Sequence, residues 1–303
     1  MTAHVAERGE GRGRVVLRLN CTAPINEAAV GAALLVARAF GASVECLLLE
    51  DRQVFDAAAF GFTRECPLDE AGQRPIAIDE VSRRLALAVS AAGRRVIDVA
   101  ASADVPVELH RVLDSPVNAL VTACQSAGPW NVVALGEIAS ATMAARMDAL
   151  FERVTGMTGV IIAGTMGERL RPGSGKGMGM GSRAGPVVAV VEHADRLTGM
   201  MRTASRIAAV DGRDVVVALT AESRSELAWL DTEVRAAIAG HGEPRTTVVL
   251  LPQPGGGLPV LVEELRRLSP AFVIAAFGGL AAPAGRELAL LTAMLPCPVL
   301  LAR

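Results

Sequence analysis

The sequence predicts an α/β protein made of two successive parallel-sheet units, on three observations. Short β-branched runs alternate with Ala-rich helical patterns along the chain. The order of those runs repeats once, as in an internal duplication. A length of 303 residues is too great for one ordinary α/β core and suits two units of about 150 residues each. Strands alternating with helices imply a parallel sheet covered on both faces.

In the first half the runs are RVVLRLN, a helix from Pro24 to Phe40, SVECLLLE, a longer excursion, VPVELHRV, a helix from Ser115 to Ser126, NVVALG, a helix from Ala141 to Val154, and TGVIIAG. The second half gives GPVVAVVE, a helix from Leu197 to Val210, DVVVALTAE, a helix from Ser225 to Ala239, and TTVVLLP. It continues with a helix from Leu258 to Leu268, AFVIAAFGG, a helix from Ala284 to Leu295, and CPVLLAR. Each half therefore carries five strand runs. Pro24 suits a first helical turn, where its missing N–H has no intrahelical partner, and Thr22 suits a cap. Gly41 and Gly240 suit left-handed C-terminal caps, and Asp114 and Ser115 read as N-terminal caps.

First strands are offset by about 172 residues and last strands by about 139, so the first half holds an insertion of roughly 30 residues. It falls between Glu50 and Val105 and is placed at about 51–95, with a helix from Ile78 to Ala92. The units are then 13–166 and 186–303, joined by a Gly-rich linker over 167–185. The insertion carries Phe55, Phe60 and Phe62 in a chain with only seven Phe. Two readings stand: the rings pack on their own unit, or they dock a protein partner through rigid aromatic area.

The linker contains RLRPGSGKGMGMGSRAG, whose Gly175–Lys176 pair raises the question of a phosphate loop. A loop of the G-x4-G-K-(S/T) kind needs Gly where Leu170 stands and a hydroxyl where Gly177 stands. Both requirements fail. The stretch lies between the last strand of one unit and the first of the next, where a flexible connection belongs.

Composition excludes several function classes. With 51% hydrophobic and 20% charged residues the chain is globular, and with no Tyr and 3% aromatics its core must be aliphatic. No apolar run approaches the roughly 18 to 20 residues of a membrane span, and the N-terminal stretch has acids and glycines where a signal peptide needs apolar residues, so a cytoplasmic protein is expected. A net charge of -2 with scattered signs offers no footprint for nucleic acid. Cys21, Cys46, Cys66, Cys124 and Cys297 are odd in number without CxxC spacing, which points to buried reduced thiols, not a disulfide framework or a zinc site.

Catalytic constellations are sparse. His110 lies in an alternating strand; His193 follows Glu192 at a strand end, but no motif places a Ser, Cys or second carboxylate beside it, so it reads as structural. His4 and His241 sit in a tail and a turn. Met143 and Met147, at helical spacing, and the pair Met200 and Met201 read as gap-filling residues in an aromatic-poor core, with no metal site. Trp130 and Trp229 are the two fluorescent probes.

The strands RVVLRLN and PVVAVVE, the turns NVVALGE and FVIAAFGG, and the endings FERVTGMTGVIIAG and LLTAMLPCPVLLAR together resemble the universal stress protein family in its tandem form. The resemblance covers nearly the whole chain. It implies open parallel sheets of five strands in a nucleotide-binding α/β fold, the two units packing as a pseudo-dimer, with ligands at the carboxyl ends of the strands. In the ATP-binding members an Asp ends the first strand, and a motif G-x2-G-x9-G-(S/T) follows the fourth.

This chain departs from that pattern in both halves. Asn20 and Glu192 stand where the acid is expected. In the first half Gly136 is followed by Ala139, Ala149 and Leu150 at the motif positions; in the second, Gly278 is followed by Ala281, Leu291 and Thr292. Each added Cβ threatens a backbone-to-phosphate hydrogen bond worth about 1.5 to 3 kcal/mol. The leading expectation is a non-catalytic stress-related binding protein with eroded ATP sites, acting on a protein partner or as a homo-oligomer. The alternatives are a nucleotide-binding stress sensor using Glu192, Gly278, Gly279 and Thr292, with Asn20 and Gly136 as the first-half counterparts, or an enzyme acting on a nucleotide-like substrate. No cofactor is firmly assigned; the candidate is ATP or another adenine nucleotide.

Overall fold

The computed structural model describes residues 13–21, 25–66, 72–126, 131–135, 147, 150–163, 185–239, 244–251, 257–284 and 286–303. The linker expected over 167–185 lies almost wholly outside them, as do Thr22, Pro24, Trp130, Gly136, Met143, Gly240 and His241.

The first half runs β1 (Arg14–Asn20), α1 (Glu27–Phe40), β2 (Ser43–Asp51), α2 (Arg52–Ala59), β3 (Arg64–Glu65), β4 (Arg74–Pro75), α3 (Ile78–Ala103), β5 (Val107–Asp114), α4 (Pro116–Ser126), β6 (Asn131–Leu135) and β7 (Met157–Ile162). The second runs β8 (Val187–Val191), α5 (Ala194–Asp211), β9 (Val215–Leu219), α6 (Arg224–Ile238), β10 (Thr246–Leu250), α7 (Gly257–Arg267), β11 (Phe272–Ala276), α8 (Arg286–Met294) and β12 (Val299–Ala302).

The strands do not form two separate sheets. They form one sheet of ten strands in the order β10-β9-β8-β11-β12-β7-β6-β1-β2-β5. Within each half the ladders are parallel, and both halves place their five strands in the order third, second, first, fourth, fifth. The halves meet where β12 pairs antiparallel with β7, from Val299 opposite Ile162 to Ala302 opposite Gly159. Gly159 is required by that seam: a Cβ there would lie 2.9 Å from the Leu301 carbonyl oxygen. The backbone N–H of Arg303 extends the seam by donating to the Thr158 carbonyl.

Burial follows position in the sheet. β8, β9 and β11, covered on both faces, are buried at every residue and read as the unbroken runs VVAVV, VVVAL and FVIAA. β5, at one edge, has no fully buried residue and mixes exposed with half-buried ones, as a strand with an open face does. One apolar core lies on each side of the sheet, and each runs through both halves. On the first side α1 packs against α5 across the seam, with the Arg206 guanidinium 5.3 Å from the Phe40 ring centroid.

Local chemistry sets the helix ends. α1 starts later than the sequence suggested: Asn26, not Thr22, caps it, its Oδ1 accepting from the Ala29 N–H at 3.1 Å. Gly41 closes it in the left-handed conformation, as expected. At α6, Ser223 accepts from the Glu226 N–H, a capping arrangement with an acid in the first turn. Ser115 caps α4 by accepting from the Asn118 N–H, and Pro116 opens the helix.

The insertion differs most from expectation. It forms α2, a short β3–β4 hairpin and the start of α3, which continues 11 residues past Ala92 to Ala103. The helix passes through Gly93 because it lies close on the sheet there: a Cβ would meet Leu109 Cδ1 at 3.2 Å. Phe60 and Phe62 do not pack into the core; they are 55% and 79% exposed and stack with ring centroids 5.4 Å apart, while Phe55 is half-buried on α2. Four of the five thiols are buried as expected, but Cys66, beside the hairpin, is exposed.

Candidate functional site

The carboxyl ends of β8, β9 and β11 open on a cavity of about 470 Å³. Its lining is Glu192 and His193 after β8, Ala221, Glu222 and Glu226 after β9, Gly257, Leu258 and Leu261 of α7, and Gly278, Gly279, Leu280, Pro283 and Glu287 after β11. This is the position at which open parallel sheets bind ligands.

Glu192 is the first residue beyond β8 and is 5% exposed. Its carboxylate accepts two backbone hydrogen bonds, Oε2 from the Leu280 N–H and Oε1 from the Ala281 N–H, both 2.8 Å long. The turn that presents these amides is held from several sides. Gly278 adopts φ +78°, a left-handed conformation, and its N–H donates to the Ala282 carbonyl at 2.9 Å. Gly279 bonds back to the Ala276 carbonyl, and Ala281 and Ala282 are fully buried. Phe277 stacks on Phe151 of the other half with centroids 3.8 Å apart and 11° between planes, so the turn is buttressed across the seam.

Gly279 serves this carboxylate. A Cβ at that position would lie 2.8 Å from Glu192 Oε1 and closer still to Oε2. Thr292 is placed elsewhere: it is buried, and its hydroxyl donates to the Leu288 and Ala289 carbonyls of its own helix, both at 3.1 Å. Of the four second-half residues singled out from the sequence, three come together at the cavity and Thr292 does not line it.

The cavity also gathers residues that sequence motifs did not bring together. Glu222, Glu226 and Glu287 line it with Glu192 and the exposed His193, carboxylates that no sequence motif placed beside that imidazole. The signal was present in part, since Glu226 and Glu287 are the first-turn acids of α6 and α8. What was illegible was that both helix starts face one space. Among the described lining residues there is no Lys or Arg. Thr220, just past β9, is buried, and its hydroxyl has no hydrogen-bond partner among the described residues.

In the first half, Asn20 ends β1 and is exposed, and Gly136 lies outside the described residues. Near the end of β2, the buried Glu50 carboxylate pairs with Arg111 of β5 through two guanidinium nitrogens, the second at 3.0 Å. The neighbouring Cys21 thiol is pushed up to about 11, first by burial and then by Glu50, against the opposing influence of Arg111. His110 is exposed, 3.7 Å from Glu108. No group of three or more His, Cys, Asp or Glu among the described residues is arranged to hold a metal ion. No helix among them is long and apolar enough to cross a membrane.

No protein-family model and no curated protein matches the sequence. Solved structures do match over nearly the whole chain. A universal stress protein from Archaeoglobus fulgidus DSM 4304 superposes with a TM-score of 0.57 at 15% identity, covering 95% of this chain and 96% of its own. A functionally unknown protein from Pseudomonas aeruginosa PAO1 gives a TM-score of 0.54 at 15% identity, covering 96% of this chain and 92% of its own. The chain thus has an α/β fold of the universal stress protein type.

Proposed function

We propose that this chain is a tandem, non-catalytic stress-related binding protein of the cytoplasm, with nucleotide sites no longer fitted to hold ATP tightly, and that it acts through a protein partner. The observation that carries the reading is the Glu192 carboxylate seated on the Leu280 and Ala281 amides, in a cavity whose other charged lining is Glu222, Glu226 and Glu287. A polyphosphate would meet four carboxylates with no described cation to offset them, and the amides it would use are already bonded. The tandem reading draws support from the identical strand order of the two halves.

The partner surface we assign is the insertion, where Phe60 and Phe62 stack in solvent on a segment that the second half lacks. Aromatic pairs of this kind bury large area at small entropic cost when covered. The nucleotide-sensor alternative is favoured by one observation, a cavity at the strand ends within the size range of small-molecule sites. Calorimetric titration with ATP separates the two: the proposal expects no saturable binding at micromolar concentrations, and such binding overturns it. For the partner, a Phe60→Ser, Phe62→Ser variant is expected to keep its circular dichroism spectrum while losing cross-links formed by the native protein. Unchanged cross-linking refutes the assignment of this surface.

A further inference from the structure

Glu192 is a buried carboxylate whose partners among the described residues are two backbone amides, with no cation paired to it. A carboxylate removed from water at that depth is tolerable only where donors replace its hydration. The turn after β11 is therefore an oxyanion-binding element, and the oxyanion it holds comes from the chain itself. Gly279 completes the fit, because any side chain there would occupy the space of the carboxylate.

We infer that Glu192 is an intramolecular latch: it stands in for an external oxyanion on the Leu280 and Ala281 amides, and the turn becomes a site for phosphate-class oxyanions once that one carboxylate is withdrawn. The inference rests on the reading of this cleft as an eroded site and adds what keeps it closed. Preorganisation supports it. The turn is pinned by the Gly278-to-Ala282 and Gly279-to-Ala276 backbone bonds and by the Phe277–Phe151 stack, none of which involves Glu192. Withdrawing the side chain leaves both N–H groups turned toward the space of one carboxylate, the arrangement that captures anions at backbone nests. The three remaining glutamates of the cavity limit the affinity.

The test is a titration of isotopically labelled full-length protein with inorganic phosphate, following the amide resonances of Leu280 and Ala281. Native protein is expected to show no phosphate-dependent shift. Glu192→Ala is expected to show saturable shifts at both amides, with phosphate bound about tenfold or more tighter than by the native chain. A folded Glu192→Ala protein whose amides ignore phosphate overturns the latch, as does a native protein that titrates equally well. If Glu192→Ala does not fold, Glu192→Ser decides: its short side chain also withdraws the carboxylate from the Leu280 and Ala281 amides, saturable shifts at both are expected, and a flat titration of the folded variant overturns the inference. Tight ATP binding by the native chain would instead defeat the proposed function, so the two failures are separable.

Discussion

Cys46, in the middle of β2, is fully buried, and burial first, then the neighbouring Cys21, pushes its thiol from the usual 9.0 up to about 12. Cys21 and Cys124 are pushed up to about 11, burial again the leading cause. The unfolded chain releases these protons near pH 9 while the native chain keeps them, so above that pH the unfolded state binds fewer protons and stability must fall as pH rises. The loss begins at about pH 9 and continues to the native values of about 11 to 12. Urea midpoints measured at about pH 8 and about pH 10.5 should show the decline, and Cys46→Ala should make it shallower. An unchanged pH dependence in that variant would show that Cys46 does not carry the effect.

At the scale of elements, the antiparallel contact of β7 with β12 is the contact on which the single sheet depends. Gly159 permits it, with Leu301 O 2.9 Å and Leu300 Cδ1 3.2 Å from where a Cβ would sit. Gly159→Val should force these strands apart and cost about 1 to 3 kcal/mol, read as a lower denaturant midpoint. A variant as stable as the native protein would mean the seam yields freely. The turn after β11 works on the same scale, tied to Glu192 on one side and through Phe277 to Phe151 on the other. Strain at the seam should therefore reach the cavity.

For the whole molecule, both cores cross the seam. The first joins α1 and α3 residues such as Val30, Leu34 and Val96 to Leu197, Ala204 and Ile207 of α5; the second joins Leu120 and Phe151 to Leu261, Leu288 and Leu291. Neither half can lose its packing without exposing apolar surface of the other. The chain should unfold in one calorimetric transition whose van't Hoff and calorimetric enthalpies agree. Two resolved transitions would show that the halves are energetically independent.

The alternating pattern by itself determined the ten principal strands and the helices between them, save the one expected from Ala141 to Val154, most of which lies outside the described residues, because side-chain periodicity is a local property that burial imposes on each segment separately. It also showed where this chain departs from the G-x2-G-x9-G-(S/T) pattern, since a missing glycine is visible without any structure. The tertiary structure decided what no local pattern encodes. It joined two expected sheets into one, ran α3 past Gly93, left Phe60 and Phe62 in solvent, and brought four glutamates to one cavity. Above all it set Glu192 on amides 88 and 89 residues away. A carboxylate at a strand end is, in sequence, equally a ligand to something bound or a solvated charge. Only the close approach of the turn after β11, with Gly279 leaving the space open, made it the occupant of the chain's own anion site.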